Sequence, residues 1–148
     1  MNGFWRLALR YSPRTGSILM CDFSIGFKPP EMVKTRPVIA IATGAKSVSG
    51  LVTVVPLSKT APHPILGHHL LLDSKYLPRT AMFRDFDSWV KGDMIYTVGH
   101  HRLSPVGLGR IKGGKREYLT HKLSREQMTD IYACVLHGLN LGNLAQFL

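Results

Sequence analysis

Two apolar, β-branched runs, Pro37 to Ala42 and Leu51 to Leu57, flank a turn-rich stretch, Thr43-Gly44-Ala45-Lys46-Ser47-Val48-Ser49-Gly50. Runs of this length and composition read as buried strands, and the glycine- and serine-rich link between them reads as the turn of an antiparallel hairpin. The midpoint falls near residues 46 and 47, so a symmetric hairpin sets residue 36 opposite residue 57 or 58. Arg36 and Ser58 are therefore expected to face each other across neighbouring strands, at the end away from the turn.

The remaining segments fit around that hairpin. Gly16 opens the run Ser17 to Phe23, a predicted first strand, and Ser24 to Thr35, with Gly26, Pro29 and Pro30, is predicted loop. His69 to Leu72 reads as a short strand, and Asp73 to Asp87 as irregular and charge-rich. Ser88 to Val98 reads as a strand interrupted by Gly92, and a glycine in a strand marks a bulge or a close backbone approach. Leu103 to Lys115, with Pro105 and several glycines, reads as turn and loop. The period then changes. Ser124 and Gln127 form a capping-box signature, and Met128, Ile131, Tyr132, Val135, Leu136 and Leu139 follow helical spacing, so a helix is expected from Arg125 to Leu139. The predicted class is mainly β with a C-terminal α-helix, a small antiparallel barrel: residues 1–15 as an N-terminal arm, 16–148 as the domain.

Composition narrows the partners. The 148 residues suit one domain burying roughly 70% of the surface of the unfolded chain. Nineteen Lys and Arg against nine Asp and Glu give a net charge of +10, which attracts polyanions, nucleic acid or an acidic protein. No apolar run is long enough to span a bilayer, and Trp5 to Tyr11 is interrupted by arginines, unlike a signal peptide, so a cytoplasmic location is expected. Cys21 and Cys134 sit among apolar neighbours and read as small buried hydrophobes, not a disulfide or a nucleophile. The adjacent pairs His68-His69 and His100-His101 are expected to diverge on a strand, with no carboxylate spacing to complete a metal site. They read as surface or RNA-facing histidines.

Three blocks in order carry a resemblance: Glu31 five residues before Arg36-Pro37-Val38, then Val54-Val55-Pro56-Leu57-Ser58, then Val90-Lys91-Gly92-Asp93-Met94-Ile95-Tyr96-Thr97-Val98. Over roughly residues 16 to 140 the chain resembles the MazF/PemK/Kid toxins of bacterial toxin–antitoxin systems. The resemblance implies a Src-homology-three-like (SH3-like) barrel, a homodimer, and a ribonuclease that uses no metal or cofactor. It implies cleavage of single-stranded RNA by the neighbouring 2′-hydroxyl, and an acidic antitoxin as protein partner. Departures from the family pattern are Thr35, Pro30, Ser58 and Met94, and a longer, more basic segment from Ala61 to Asp87.

Attack by a 2′-hydroxyl needs a proton acceptor, a stabiliser of charge on the phosphate, and a proton donor for the leaving oxygen. Arg36 suits the second task, because its planar fork of donors matches phosphate oxygens and it stays protonated. Ser58 can donate to the same phosphate. Glu31 is the nearest candidate base, and Asp93 is its rival. Lys91 either pairs with Asp93 or holds RNA, and Lys34, Lys59, Lys112, Lys115 and Arg116 are further candidate RNA contacts, the last three beside Gly113-Gly114, where the backbone can approach phosphates. Trp5, Phe27, Phe83 and Trp89 are aromatic candidates for base stacking, Trp89 being equally suited to the core. Two other readings stand beside the nuclease: a non-catalytic nucleic-acid-binding or gyrase-poisoning relative of the CcdB type, and a basic barrel of the translation machinery. The first does not require the Glu31–Arg36–Ser58 set, and the second explains the charge but not the spacing.

Overall fold

A computed structural model describes residues 9, 12–43, 50–110 and 113–148. The strands are β1 (Ile18–Asp22), β2 (Thr35–Thr43), β3 (Leu51–Ser58), β4 (His69–Leu72), β5 (Ser88–Lys91), β6 (Tyr96–Gly99), β7 (Leu103–Pro105), β8 (Gly107–Arg110) and β9 (Arg116–Tyr118). A single helical turn, α1 (Ala81–Arg84), lies between β4 and β5, and the main helix, α2 (Arg125–Gly138), follows β9. The turn predicted at 44–49, Lys112, and most of the N-terminal arm, Trp5 included, lie outside the described residues.

Seven strands form one antiparallel sheet in the order β4-β5-β3-β2-β1-β7, with β6 pairing β3 beside β5. Strands β8 and β9 make a separate hairpin. The predicted β class with a C-terminal helix is what the chain adopts. The region from Leu103 to Arg110, expected as loop, instead contributes β7 and β8. Its prolines and glycines do not prevent this, because among the described strands β7 is an outer one paired to β1 and β8 belongs to a two-stranded ribbon.

The period-2 alternation of the central strands builds two apolar layers. Ile18, Ile39, Val55, Leu57 and Val90 face one side, where Phe83 and Met128, Ile131 and Val135 of α2 cover them. Leu19, Cys21, Phe23, Val38, Ala40, Val52 and Val54 face the other. Each of the α2 side chains in the first layer contributes about 1.5–3 kcal/mol by leaving water. The predicted helical stripe is correct except at its end: Leu139 is the C-cap and half exposed. A register shift between Ala40 and Ala42 leaves Ile41 opposite no β3 residue, and the Tyr132 hydroxyl donates to its carbonyl at 2.7 Å. The bulge thus gives α2 a polar anchor on the sheet.

Candidate active site

The hairpin register is the expected one. Val38 pairs with Pro56, and two residues further on Arg36 stands level with Ser58. On its other side Arg36 pairs with Cys21 of β1, while Ser58 pairs with Trp89 of β5. Paired residues share a face, so Arg36, Ser58 and Trp89 form one row across β2, β3 and β5. Lys91 lies two residues along β5 from Trp89, on the same face, and pairs with His69 of β4.

Arg36 is half-buried at the mouth of β2, and its Nε is buried without a hydrogen-bond partner among the described residues. Trp89 is 7% exposed and its Nε1 is in the same condition. A buried donor left without an acceptor costs about 1–3 kcal/mol, so two of them in one row mark a place suited to an added acceptor. The Oγ of Ser58, between them in the row, accepts the Thr60 amide at 3.2 Å, which leaves its proton free for another acceptor.

The loop that leads to Arg36 is tied down from a distance. Arg102 Nη1 donates to the carbonyls of Asp22 (3.0 Å) and Ile25 (2.8 Å), and its guanidinium lies 4.7 Å from the Phe27 ring centroid. Phe23, Phe27 and Tyr96 pack ring against ring, and the Tyr96 hydroxyl accepts the Met32 amide at 3.0 Å. Sequence reasoning missed Arg102 and Tyr96, because these contacts join residues 64 to 80 positions apart and leave no local pattern. Within the loop, Glu31 closes a turn on Lys28: its carboxylate accepts the Lys28 amide at 2.9 Å and its own amide donates to the Lys28 carbonyl at 2.8 Å. Glu31 therefore spends an oxygen locally and pairs with neither Lys34 nor Arg36 among the described residues.

Asp93 is positioned by a wide interruption in the sheet. Leu57 pairs with Val90 and Val54 with Tyr96, so the seven residues from Val90 to Tyr96 run beside only four of β3, and Gly92 to Ile95 loop out. Gly92 makes the close approach its position predicted. A Cβ there would lie 2.5 Å from the Cys134 carbonyl oxygen of α2. The Asp93 partner is His68, Nε2 to Oδ2 3.5 Å, not Lys91. The two histidines do not diverge as expected. His68 and His69 lie with ring centroids 4.1 Å apart and planes tilted at 57°, and one nitrogen of each and an Asp93 carboxylate oxygen all lie within 4.8 Å of one another. The carboxylate that seemed absent from the spacing arrives from the looped connection between β5 and β6. Burial first, then the neighbouring His68 and Lys91, lower the His69 pKa from its ordinary value, against an opposing pull from Asp93.

The other expected contacts spread further. Lys34 and Lys59 are exposed, Lys59 with its ammonium 4.0 Å from the Phe86 ring centroid. Lys115 and Arg116 are exposed on the β8–β9 hairpin, which pairs with no strand of the seven-stranded sheet among the described residues. Phe83 is 1% exposed and belongs to the core, so it is no base-stacking platform, and Cys21 and Cys134 are buried free thiols. A cleft of about 480 Å³ opens between Leu9, Pro13, Ser17 and His121, and neither Arg36 nor Ser58 lines it. No helix among the described residues is long and apolar enough to cross a membrane.

Comparison with known proteins agrees with the architecture and the order of the blocks. Residues 14–139 match the family model of the PemK-like, MazF-like toxin of type II toxin–antitoxin systems. An uncharacterised protein of Haemophilus influenzae is 29% identical over 145 residues, covering 91% of this chain and 95% of that one. YifN of Escherichia coli, also uncharacterised, is 28% identical, covering 90% and 96%. Among solved structures, MazF from Deinococcus radiodurans superposes with a TM-score of 0.59 at 14% identity, covering 88% of this chain and 98% of its own. A mycobacterial endoribonuclease in complex with its cognate antitoxin gives 0.56 at 18%, covering 87% and 96%. These likenesses in structure show a shared fold, and the family match spans β1 through α2. The chain belongs to the PemK-like, MazF-like toxins of type II toxin–antitoxin systems.

Proposed function

We propose that the chain is a metal-independent endoribonuclease that cuts single-stranded RNA by attack of the 2′-hydroxyl on the adjacent phosphate, leaving a 2′,3′-cyclic phosphate. The observation that carries this reading is the row Arg36–Ser58–Trp89, with a half-buried arginine whose Nε has no acceptor among the described residues. A phosphate is the group that fits such a fork. Arg36 stabilises the charge that builds on the phosphate, and the Ser58 hydroxyl donates to it. Lys91, on the same face, and Lys34 and Lys59, at the rims, hold the flanking backbone; Lys115 and Arg116 reach a longer RNA only. Because Glu31 is committed to the Lys28 amide, Asp93 is the carboxylate better suited to proton transfer.

The +10 charge suits RNA and an acidic antitoxin alike, and the mycobacterial relative in its antitoxin complex supports a protein partner of that kind. A homodimer acting on cytoplasmic RNA completes the reading. The test is cleavage of single-stranded RNA in excess chelator, comparing the wild type with Arg36→Ala. Removal of one charge-stabilising group lowers kcat by about 10²–10³-fold, while the melting temperature stays near the wild-type value because Arg36 bonds to no described residue through Nε. RNA binding without cleavage by the wild type would favour the non-catalytic alternative, and wild-type cleavage by Arg36→Ala would refute the assignment.

A further inference from the structure

We infer that His68 is the group that takes the 2′-hydroxyl proton, with Asp93 as its orienting partner; this rests on the ribonuclease reading above. The loop from Ser24 to Thr35 contains no histidine, and its one glutamate is engaged with Lys28. His68 enters from the segment before β4, outside the blocks that define the family resemblance. Its backbone is fixed twice, since its carbonyl accepts the Gly92 amide at 2.8 Å and the Cys134 thiol at 2.9 Å. Its ring lies with Nε2 3.5 Å from Asp93 Oδ2 and is tilted at 57° to the neighbouring His69 ring. That is the arrangement of a base held by a carboxylate on one nitrogen, with the other nitrogen, Nδ1, left for a hydroxyl. The side chain is 22% exposed, enough for a substrate to reach. The link to the Arg36–Ser58 row runs through His69, whose ring neighbours His68 and whose strand partner Lys91 shares the face of that row and is a diagonal neighbour of Ser58 across β3 and β5.

The same trio also invites a metal reading, and His69 argues against it. Its Nδ1 accepts the Leu66 amide at 3.0 Å, so the neutral ring carries its proton on Nε2 and offers a donor there. A metal ligand needs a free lone pair, and binding through either nitrogen of His69 would break the Leu66 contact. The ring is instead suited to donate to a phosphate oxygen while His68 handles the proton. The charged and titratable groups around His68 are Asp93 from the β5–β6 connection, Lys91 from β5, His69 from β4, and from α2 Cys134 and His137, the His137 ring packing on Gly67.

In the step, the O2′–H proton moves to His68 Nδ1 as the O2′–P bond forms and the P–O5′ bond breaks. The 5′ oxygen takes a proton from water, and the imidazolium later returns its proton to solvent. The experiment uses the full chain and a short single-stranded RNA in EDTA, comparing wild type, His68→Ala, His68→Gly and Asp93→Asn. The expected result is a loss in kcat of about 10²–10⁴-fold for His68→Ala with RNA affinity within about threefold, and loss of the acidic limb of the pH–kcat profile. Added imidazole should restore cleavage to His68→Gly, which a merely structural role would not allow. Asp93→Asn should cost less than His68→Ala and keep an acidic limb. If the wild type cleaves and His68→Ala cleaves equally fast with the same profile, the assignment of His68 is overturned and the ribonuclease reading stands. If wild-type cleavage disappears in EDTA and returns with zinc, the trio is a metal site and the inference fails. A wild type that cleaves no RNA under any condition overturns both readings.

Discussion

The contact between α2 and the Gly92 turn makes an unusually sharp prediction, because two glycines meet backbone to backbone. A Cβ on Gly138 would lie 2.3 Å from the Gly92 carbonyl oxygen and 2.7 Å from the Asp93 amide nitrogen. A Cβ on Gly92 would lie 2.5 Å from the Cys134 carbonyl oxygen. Ordinary contact begins at 3.4 Å, so either alanine must drive helix and turn apart by about 1 Å. Neither obstacle is a flexible side chain that can rotate away. Overpacking of this kind costs about 1–3 kcal/mol, and the backbone obstacle puts Gly92→Ala at the upper end, about 2–3 kcal/mol. Gly138→Ala ends a helix, where alanine would by itself gain up to about 1 kcal/mol over glycine. Its net effect should be a loss of about 1–2 kcal/mol, and the sign is the informative part. Urea unfolding followed by circular dichroism measures both, with an unchanged slope expected. For a chain of this size each kcal/mol moves the melting temperature by about 2–4 °C. Since one displacement relieves both contacts, the double variant should lose about 1 kcal/mol less than the sum of the single losses. A Gly138→Ala protein more stable than wild type, or strict additivity, would refute the close packing on which the position of Asp93 depends.

Two other perturbations test the same helix. Ser124 Oγ accepts the Gln127 amide at 3.2 Å and Gln127 Oε1 accepts the Ser124 amide at 2.8 Å, so Ser124→Ala should cost about 1 kcal/mol in urea unfolding, and no measurable loss would show that the cap is dispensable. Burial raises the Cys134 thiol from 9.0 to about 11, with Asp93 adding to the rise against a Gly92 backbone hydrogen bond. The unfolded thiol ionises first as pH increases, so the stabilisation from keeping it neutral is intact below pH 9.0 and is lost on the way to about 11. Wild type should thus lose up to about 3 kcal/mol more than Cys134→Ala across that window, read by urea unfolding at each pH, and parallel curves would contradict a buried neutral thiol.

Much of the fold was legible because it is written in local pattern. The β2–β3 pairing followed from two apolar runs and the midpoint between them, and the start of α2 from Ser124 and Gln127. Where the reading failed, a partner distant in sequence decided the outcome. Pro105 and its neighbouring glycines looked like loop until β1 and β9 supplied hydrogen bonds to those segments. His68 and His69 looked divergent because a strand alternates its side chains, yet His68 precedes β4 and is free of that rule.

The sequence by itself determined the strands, the helix, the row that joins Arg36 to Ser58, and the family resemblance, since each depends on period, spacing or residue type along the chain. Tertiary structure alone decided what each candidate carboxylate meets. Glu31 is near Arg36 in sequence yet closes on Lys28, whereas Asp93 is carried out of the sheet by a looped connection and meets a histidine 25 positions away. Charge and hydrogen-bond geometry act through space, and a distance of 3.5 Å between two separate connections has no counterpart in the order of residues.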